Sequence, residues 1–271
     1  MKSNSKEKLS GKAQKKNDAN EGVKSKFKMV EIPEKNILVS ETTVTQDLYE
    51  EVMLENPSGS TGNKLPVTNV CRYDALNFCN RLSEMEGLEP VYSVNGKTDV
   101  DDWDWINQYV DDYEDEYDEE DEDEDEDLDE EEEEDEDEGF GIDINEDANG
   151  YRLPSVEEWY YCARGGEDYK YAGSDDLAEV GWYGEKGVHE VAQKKPNGYG
   201  LYDMSGNVWE CCKEDVPPYY ENNVICGGSY EDSTEECNIR GDDKLIPAYN
   251  RSYHPAQYEC NIGFRIVRNK S

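Results

Sequence analysis

Two cysteines, Cys226 and Cys237, flank a glycine pair and several carboxylates in the stretch VICGGSYEDSTEEC. A pair of thiolates could bind a soft metal ion or act as a redox pair. The chain has eight cysteines, but they form neither a CxxC motif nor the spacing of a zinc site. Most of them are therefore predicted to be small buried apolar residues, above all Cys79 and Cys162, which lie in helix-like stretches.

A second candidate site lies in the stretch LYDMSGNVWE, where Asp203 and Glu210 stand on either side of a turn containing Gly206. A turn of this kind can bring two carboxylates together with exposed backbone carbonyl groups. Hard oxygen ligands of this type suit calcium. The alternative is a structural turn in which Glu210 forms a salt bridge and no ion binds.

Aromatic and histidine residues surround this turn in the sequence. Trp182 and Trp209 could form a ligand-stacking platform, but we expect them to pack in the core, which is the commoner use of buried aromatics. The only two histidines, His189 and His254, lie in separate segments. Either could serve as a catalytic base, although loop or surface positions are expected.

The net charge of −40 is extreme, and most of it is local. Between residues 111 and 138, 25 of 28 residues are Asp or Glu, which leaves 42 acidic and 27 basic residues elsewhere. Such a field repels nucleic acid and anionic membranes and attracts cations and basic partners. We expect an acidic disordered insertion at about 101–139, which is either a sink for calcium or basic proteins or a tolerated loop insertion. The second alternative is favoured.

The remaining chain predicts short elements that must position these residues. Residues 1–26 are lysine-rich with little to bury, so a disordered tail is expected, followed by a folded part over 27–271. Apolar periodicity predicts a helix in TQDLYEEVM capped by Thr45, and another that ends at Gly87. Ser155 and Glu158 form a capping box before a third helix. Strands are predicted in FKMVEIPEKNILVSETTV, VICGGSY and NIGFRIV.

No apolar run in the sequence is long enough for a signal peptide or a membrane span. The default expectation is therefore a cytoplasmic protein without membrane partners, in which thiols stay reduced.

Several of these stretches, in this order, resemble the sulfatase-modifying factor family, which contains the formylglycine-generating enzyme. The resemblance rests on VTQDLYEEVM, LPVTNVCRYDALNFCNRLSE, GYRLPSVEEWYYCARGG, NGYGLYDMSGNVWE and GGSY followed by NIGFR. It implies a single α+β domain related to the C-type lectin fold, with little regular secondary structure. It also implies a calcium site formed by the side chains of Asp203 and Glu210 and the carbonyl groups of Gly206 and Val208.

The resemblance further implies an oxidase site with two cysteines after GGSY, which bind copper(I) and convert a cysteine in Cys-x-Pro-x-Arg of a client sulfatase to formylglycine. Cys237 matches the second position, whereas Asp232 occupies the first, and a carboxylate is a poor ligand for copper(I). The favoured interpretation is a non-oxidase binding or scaffold member with structural calcium and a C-terminal groove for a peptide or protein. The alternative is an active oxidase in which Cys226 or Cys260 supplies the displaced thiol.

Overall fold

Short helices and strands joined by long loops make up this chain. The computed structural model describes residue 23 and residues 26–99, 102–103, 142–213, 223–240, 251–253 and 259–270. The predicted tail at 1–26 and the predicted acidic insertion at 101–139 lie almost entirely outside the described residues. Trp103, at the start of that insertion, is fully buried and packs in the core. The expected α+β class with little regular secondary structure is confirmed.

The strands form three small sheets. Strands β1 (Met29–Ile32) and β2 (Ile37–Ser40) pair antiparallel with each other, and β2 pairs antiparallel with β9 (Val267–Asn269). Strands β3 (Tyr92–Ser93) and β4 (Asp143–Ile144) form a second, two-stranded sheet. The third sheet has the order β7 (Arg251–Tyr253), β6 (Asn223–Cys226), β5 (Trp209–Cys212) and β8 (Ile262–Gly263). Because β1 and β9 share one sheet, the two ends of the domain meet.

The predicted helices form where local sequence signals place them. Helix α1 (Gln46–Met53) buries the apolar face predicted from its periodicity, and Thr45 stands at its N-cap position. The hydroxyl of Thr45 donates to Asp47 rather than capping a backbone N–H. Helix α2 (Arg72–Glu86) ends at Gly87 in the left-handed conformation, as predicted.

Helix α3 (Val156–Arg164) has the predicted capping box. Ser155 accepts from the N–H of Glu158, and Glu158 accepts in return from the N–H of Ser155. The helix ends at Gly165. A short helix, α4 (Leu177–Val180), follows it. No helix among the described residues is both long and apolar enough to cross a membrane.

Aromatic side chains fill the core between the helices and the sheets. Tyr49 of α1 stacks on Phe78 of α2, and Phe78 meets Phe264 edge to face with ring centroids 5.2 Å apart. These contacts fasten the first two helices to the C-terminal segment.

Two predicted strands are shorter than the sequence indicates. The stretch VICGGSY leaves the sheet after Cys226, because Gly227 and Gly228 adopt positive φ angles. The stretch NIGFRIV is divided into β8 and β9 by an irregular segment from Phe264 to Ile266. The break lets Arg265 leave the sheet and enter the core.

Candidate functional site

A buried ion pair lies at the centre of the domain. Arg265 Nε donates to Glu210 Oε2 at 2.6 Å, and Arg265 Nη2 donates to Glu210 Oε1 at 2.7 Å. Trp159 of α3 adds a third bond from its indole N–H to Oε2 at 2.6 Å. Arg265 also donates to the carbonyl groups of Ser40 and Tyr202, so one guanidinium joins β2, the turn before β5 and β5 itself.

Asp203 lies beside this pair in a strained, buried turn. Its φ angle is 56°, and its Oδ2 accepts from the N–H of Ala192 at 2.8 Å. Its Oδ1 is buried without a hydrogen-bond partner in the described part of the chain. Burial raises the pKa of Asp203 to about 6, although the bond from Ala192 and the nearby Arg265 oppose that rise.

The four oxygen sources that the resemblance implies fit calcium only in part. The free Oδ1 of Asp203 suits a cation, and the carbonyl of Gly206 accepts one bond, from the N–H of Val208. The carboxylate of Glu210, in contrast, is already neutralised by Arg265. Within the described residues, no three His, Cys, Asp or Glu side chains are grouped closely enough to hold a metal ion.

The segment after β6 holds the residues at the expected oxidase positions. Asp232 Oδ2 accepts from both the backbone N–H and the hydroxyl of Ser229, so it closes a tight turn. Cys237 is fully buried with its Sγ 4.0 Å from the carbonyl oxygen of Ser229. A Cβ at Gly228 would lie 2.6 Å from that sulfur, so only glycine fits there. Burial, with the charges of Asp232 and Glu236, raises the pKa of Cys237 to about 12.

The other two sulfurs considered as replacements have different surroundings from Cys237. Cys226 is hydrogen-bonded to Cys212 across the β5–β6 pair and packs in the cluster around Trp159. Cys237 belongs to a separate apolar cluster. Cys260 is exposed, and its sulfur lies 3.8 Å from the hydroxyl of Tyr230. All eight cysteines are free thiols.

Two of the arginines in the C-terminal segments pair with carboxylates other than Asp232. Arg240 pairs with Asp168 at the surface, and Arg265 pairs with Glu210 in the core. The side chain of Arg251 and the whole of His254 lie outside the described residues. Within the described residues, Asp232 bonds Ser229.

The two tryptophans near the turn differ in environment. Trp209 is fully buried as predicted. Trp182 is only half-buried and stacks on His189, with ring centroids 3.8 Å apart and 11° between the planes. The expectation that Trp182 packs in the core was wrong, since it lines an open cavity of about 430 Å³ together with His189, Glu190, Gln193 and Lys194.

Comparison with known proteins places this arrangement in a family. The sulfatase-modifying factor enzyme 1-like domain matches residues 10–270 of the chain. The chain belongs to this family. It is 30% identical over a 279-residue alignment to Chaperone protein LppX of Paenibacillus barcinonensis, covering 91% of this chain and 85% of that protein. The Formylglycine-generating enzyme of Streptomyces coelicolor is 34% identical, but the match covers 44% of this chain and 47% of that enzyme.

A solved relative supports the same fold. The structure of Treponema denticola variable protein 1 superimposes with a TM-score of 0.64 at 27% identity, covering 90% of this chain and 92% of that one. The family fold thus spans nearly the whole chain.

Sequence reasoning missed two contacts that organise the site. The bond from Trp159 to Glu210 joins residues 51 positions apart, and no local pattern signals it. Asn207 was not singled out, although it is fully buried and bonds the backbone of His189 twice. The available signal in the sequence was a polar residue between Gly206 and an apolar strand, because a polar residue that becomes buried must find hydrogen-bond partners.

Proposed function

We propose that the protein is a non-oxidase member of the sulfatase-modifying factor family that binds a client polypeptide, in the manner of a chaperone or scaffold. The similarity to Chaperone protein LppX, which extends over 91% of the chain, supports this proposal. The matched formylglycine-generating enzyme covers less than half of the chain.

The observation that carries the proposal is the state of Asp232 and Cys237. Copper(I) prefers a pair of soft thiolates, whereas only one of the two positions carries sulfur here, and burial with two neighbouring carboxylates raises the pKa of that thiol, Cys237, to about 12. The carboxylate of Asp232 is occupied by Ser229. The residues present therefore do not fit a copper(I) site, and no oxidation step follows from them.

The client surface that we propose is the C-terminal groove around residues 229–240 and 259–261. Glu231, Glu235 and Cys260 are exposed there, and Glu235 also pairs with Lys170. Asn261 donates to Ser229 and Glu231, and its Oδ1 is buried without a partner in the described chain. Exposed carboxylates at this surface favour a basic peptide segment through electrostatic complementarity.

The first experiment tests the oxidase alternative directly. A Cys-x-Pro-x-Arg peptide is incubated with the purified protein, copper(I) and oxygen, and aldehyde formation is measured by mass spectrometry. The natural protein should form none. Aldehyde from the natural protein would refute the proposal, while aldehyde from Asp232→Cys alone would support a groove that has lost one ligand.

The second experiment tests client binding. Binding to an array of unrelated 13-residue peptides should favour lysine- and arginine-rich members and weaken in a Glu231→Gln/Glu235→Gln variant. The matched control is Glu50→Gln/Glu55→Gln, which likewise removes two exposed acids, one in α1 and one just after it. Equal losses in both variants would indicate bulk charge attraction, and no binding at all would remove the client proposal.

We also propose that the turn before β5 binds a structural calcium ion. Calcium affinity rises with the number of ligand charges, and Asp203 alone keeps an uncompensated carboxylate there. At about five times the dissociation constant, calcium should stabilise the protein by about 1 kcal/mol. Thermal unfolding of the natural protein and of Asp203→Ala, each with calcium or with EDTA, checks this. An equal calcium effect in both proteins would place the ion elsewhere.

A further inference from the structure

Three Asn-Gly pairs occur in the sequence, at residues 95–96, 149–150 and 197–198. Such a pair is chemically labile, because glycine has no side chain to shield its backbone nitrogen from the neighbouring asparagine amide. Attack of that nitrogen on the side-chain carbonyl carbon forms a succinimide ring and releases ammonia. Water then opens the ring to aspartate or to isoaspartate, which carries one additional carbon atom in the main chain. The fold decides which of the three pairs can react.

Two of the pairs are held by hydrogen bonds and close packing. Asn197 is 5% exposed, its Nδ2 donates to two carbonyl groups of α3, and its Oδ1 accepts from two backbone N–H groups. The backbone nitrogen of Gly198 is itself bonded to a carboxylate. Asn149 Oδ1 accepts from the N–H of Glu89 at 2.9 Å, and a Cβ at Gly150 would lie 2.2 Å from the carbonyl oxygen of Glu89. Neither asparagine can turn its side chain onto the next nitrogen without breaking these contacts.

The third pair forms an exposed two-residue hairpin loop. Val94 and Lys97 exchange two backbone hydrogen bonds of 2.9 Å across it. Asn95 and Gly96 have φ angles of 51° and 76°, as in a type I′ turn. Both are exposed, neither makes a hydrogen bond within the described part of the chain, and a Cβ at Gly96 would meet no atom within 4 Å. Because one bonded residue pair closes this loop, it can open at a lower free energy than the other two sites.

The hairpin also holds a core residue in place. The carbonyl of Lys97 accepts from the indole N–H of Trp103 at 2.9 Å, and Trp103 is fully buried. The length of a hairpin loop sets the pairing of the residues that flank it. An additional main-chain carbon at residue 95 therefore disturbs the pairing of Val94 with Lys97 and moves the acceptor of Trp103. Aspartate at the same position keeps the main chain and the turn.

We infer that Asn95 is a site of spontaneous covalent modification in the folded protein, and that its isoaspartate form releases the hydrogen bond that holds Trp103. The reaction needs only water, and the nitrogen of Gly96 displaces ammonia from the side chain of Asn95. The inference is independent of the client proposed above, because it involves none of the groove residues.

Ageing of the purified full-length protein at mildly alkaline pH, followed by peptide mass spectrometry, tests the first part. Asn95 should be converted first, and Asn149 and Asn197 should react about tenfold or more slowly, because their amides must first lose hydrogen bonds. In urea the three sites should react at similar rates. Equal rates in the folded protein, no conversion of Asn95, or the same preference for Asn95 in urea would overturn the inference.

The ¹H–¹⁵N indole signal of Trp103, assigned in the unmodified protein, tests the second part. It should shift in the isoaspartate form, which is separated from the aspartate form by chromatography. Freshly prepared Asn95→Asp is the matched control, because it adds the same charge without lengthening the main chain, and its Trp103 signal should stay in place. An unchanged signal in the isoaspartate form, or an equal shift in Asn95→Asp, would show that the modification does not release Trp103.

Discussion

Replacing Arg265 by methionine should destabilise the domain more than any surface change, because it leaves a buried carboxylate without its counter-charge. Arg265 and Glu210 are 0% and 1% exposed at their side chains, so solvent cannot replace the lost partner. Removal of one member of a buried pair costs about 3–5 kcal/mol. Trp159 would remain as the donor to Glu210, whereas Ser40 and Tyr202 would each lose a bond to their carbonyl oxygens. We therefore expect a loss of about 4 kcal/mol, a large part of a typical domain stability.

Urea unfolding of a double-mutant cycle measures this coupling. The cycle contains the natural protein, Arg265→Met, Glu210→Gln and the double variant, all in EDTA so that calcium makes no contribution. Because glutamine can still accept from Trp159, the double variant should be more stable than the Arg265→Met variant by about 2 kcal/mol or more. Strictly additive losses would refute the argument, since they would mean that the two charges do not depend on each other in the folded state.

Three further outcomes follow from the described residues. Cys260 should be the only rapidly reacting thiol of the native protein, because the other seven cysteines are buried. The rapid phase of the reaction with a thiol reagent should disappear in Cys260→Ser, and a rapid phase that persists would contradict this. Burial raises the pKa of Glu158, but two bonds from Arg152 outweigh it and hold the pKa below its usual range. The stability contributed by Glu158 should therefore be present above about pH 4.3 and be lost as the pH falls through the pKa of Glu158 in the folded state. Glu158→Gln should lower the free energy of unfolding by about 1–3 kcal/mol at pH 7 and by little in acid. An equal loss at both pH values would be inconsistent with this linkage. Deletion of residues 111–138, in which 25 of 28 residues are acidic, should leave the unfolding temperature nearly unchanged, as a tolerated insertion would; loss of folding would assign that segment a structural role.

Features with local causes were predictable from the sequence. The capping box of Ser155 and Glu158 needs only three residues of separation, and the left-handed end of α2 at Gly87 needs one glycine. The buried faces of α1 and α2 follow from apolar periodicity alone. The family resemblance likewise depends on stretches that are each continuous in sequence.

Features that depend on sheet register and distant contacts were not predictable. Cys226 packs with Cys212 because β5 and β6 pair with Glu210 opposite Cys226, and no sequence pattern states that register. Trp182 lines a cavity because Asn207, 25 positions later, holds its backbone at the edge of the turn. In both cases the composition of the segment is correct for a core, and only the tertiary pairing decides where each side chain lies.

Asp232 is a poor type of ligand for copper(I) and also sets the shape of the turn after β6. The same carboxylate that fails as a copper(I) ligand accepts two hydrogen bonds from Ser229 and closes the turn after β6. Its backbone carbonyl accepts from Gly184, so the turn also supports the segment that carries Trp182. A cysteine at this position would restore a soft ligand but remove the acceptor for Ser229, and it would leave the neighbouring Glu236 beside Cys237 to oppose ionisation. The turn after β6 is therefore built around a carboxylate, and a change at this single residue would alter the geometry of the turn as well as its metal-binding chemistry.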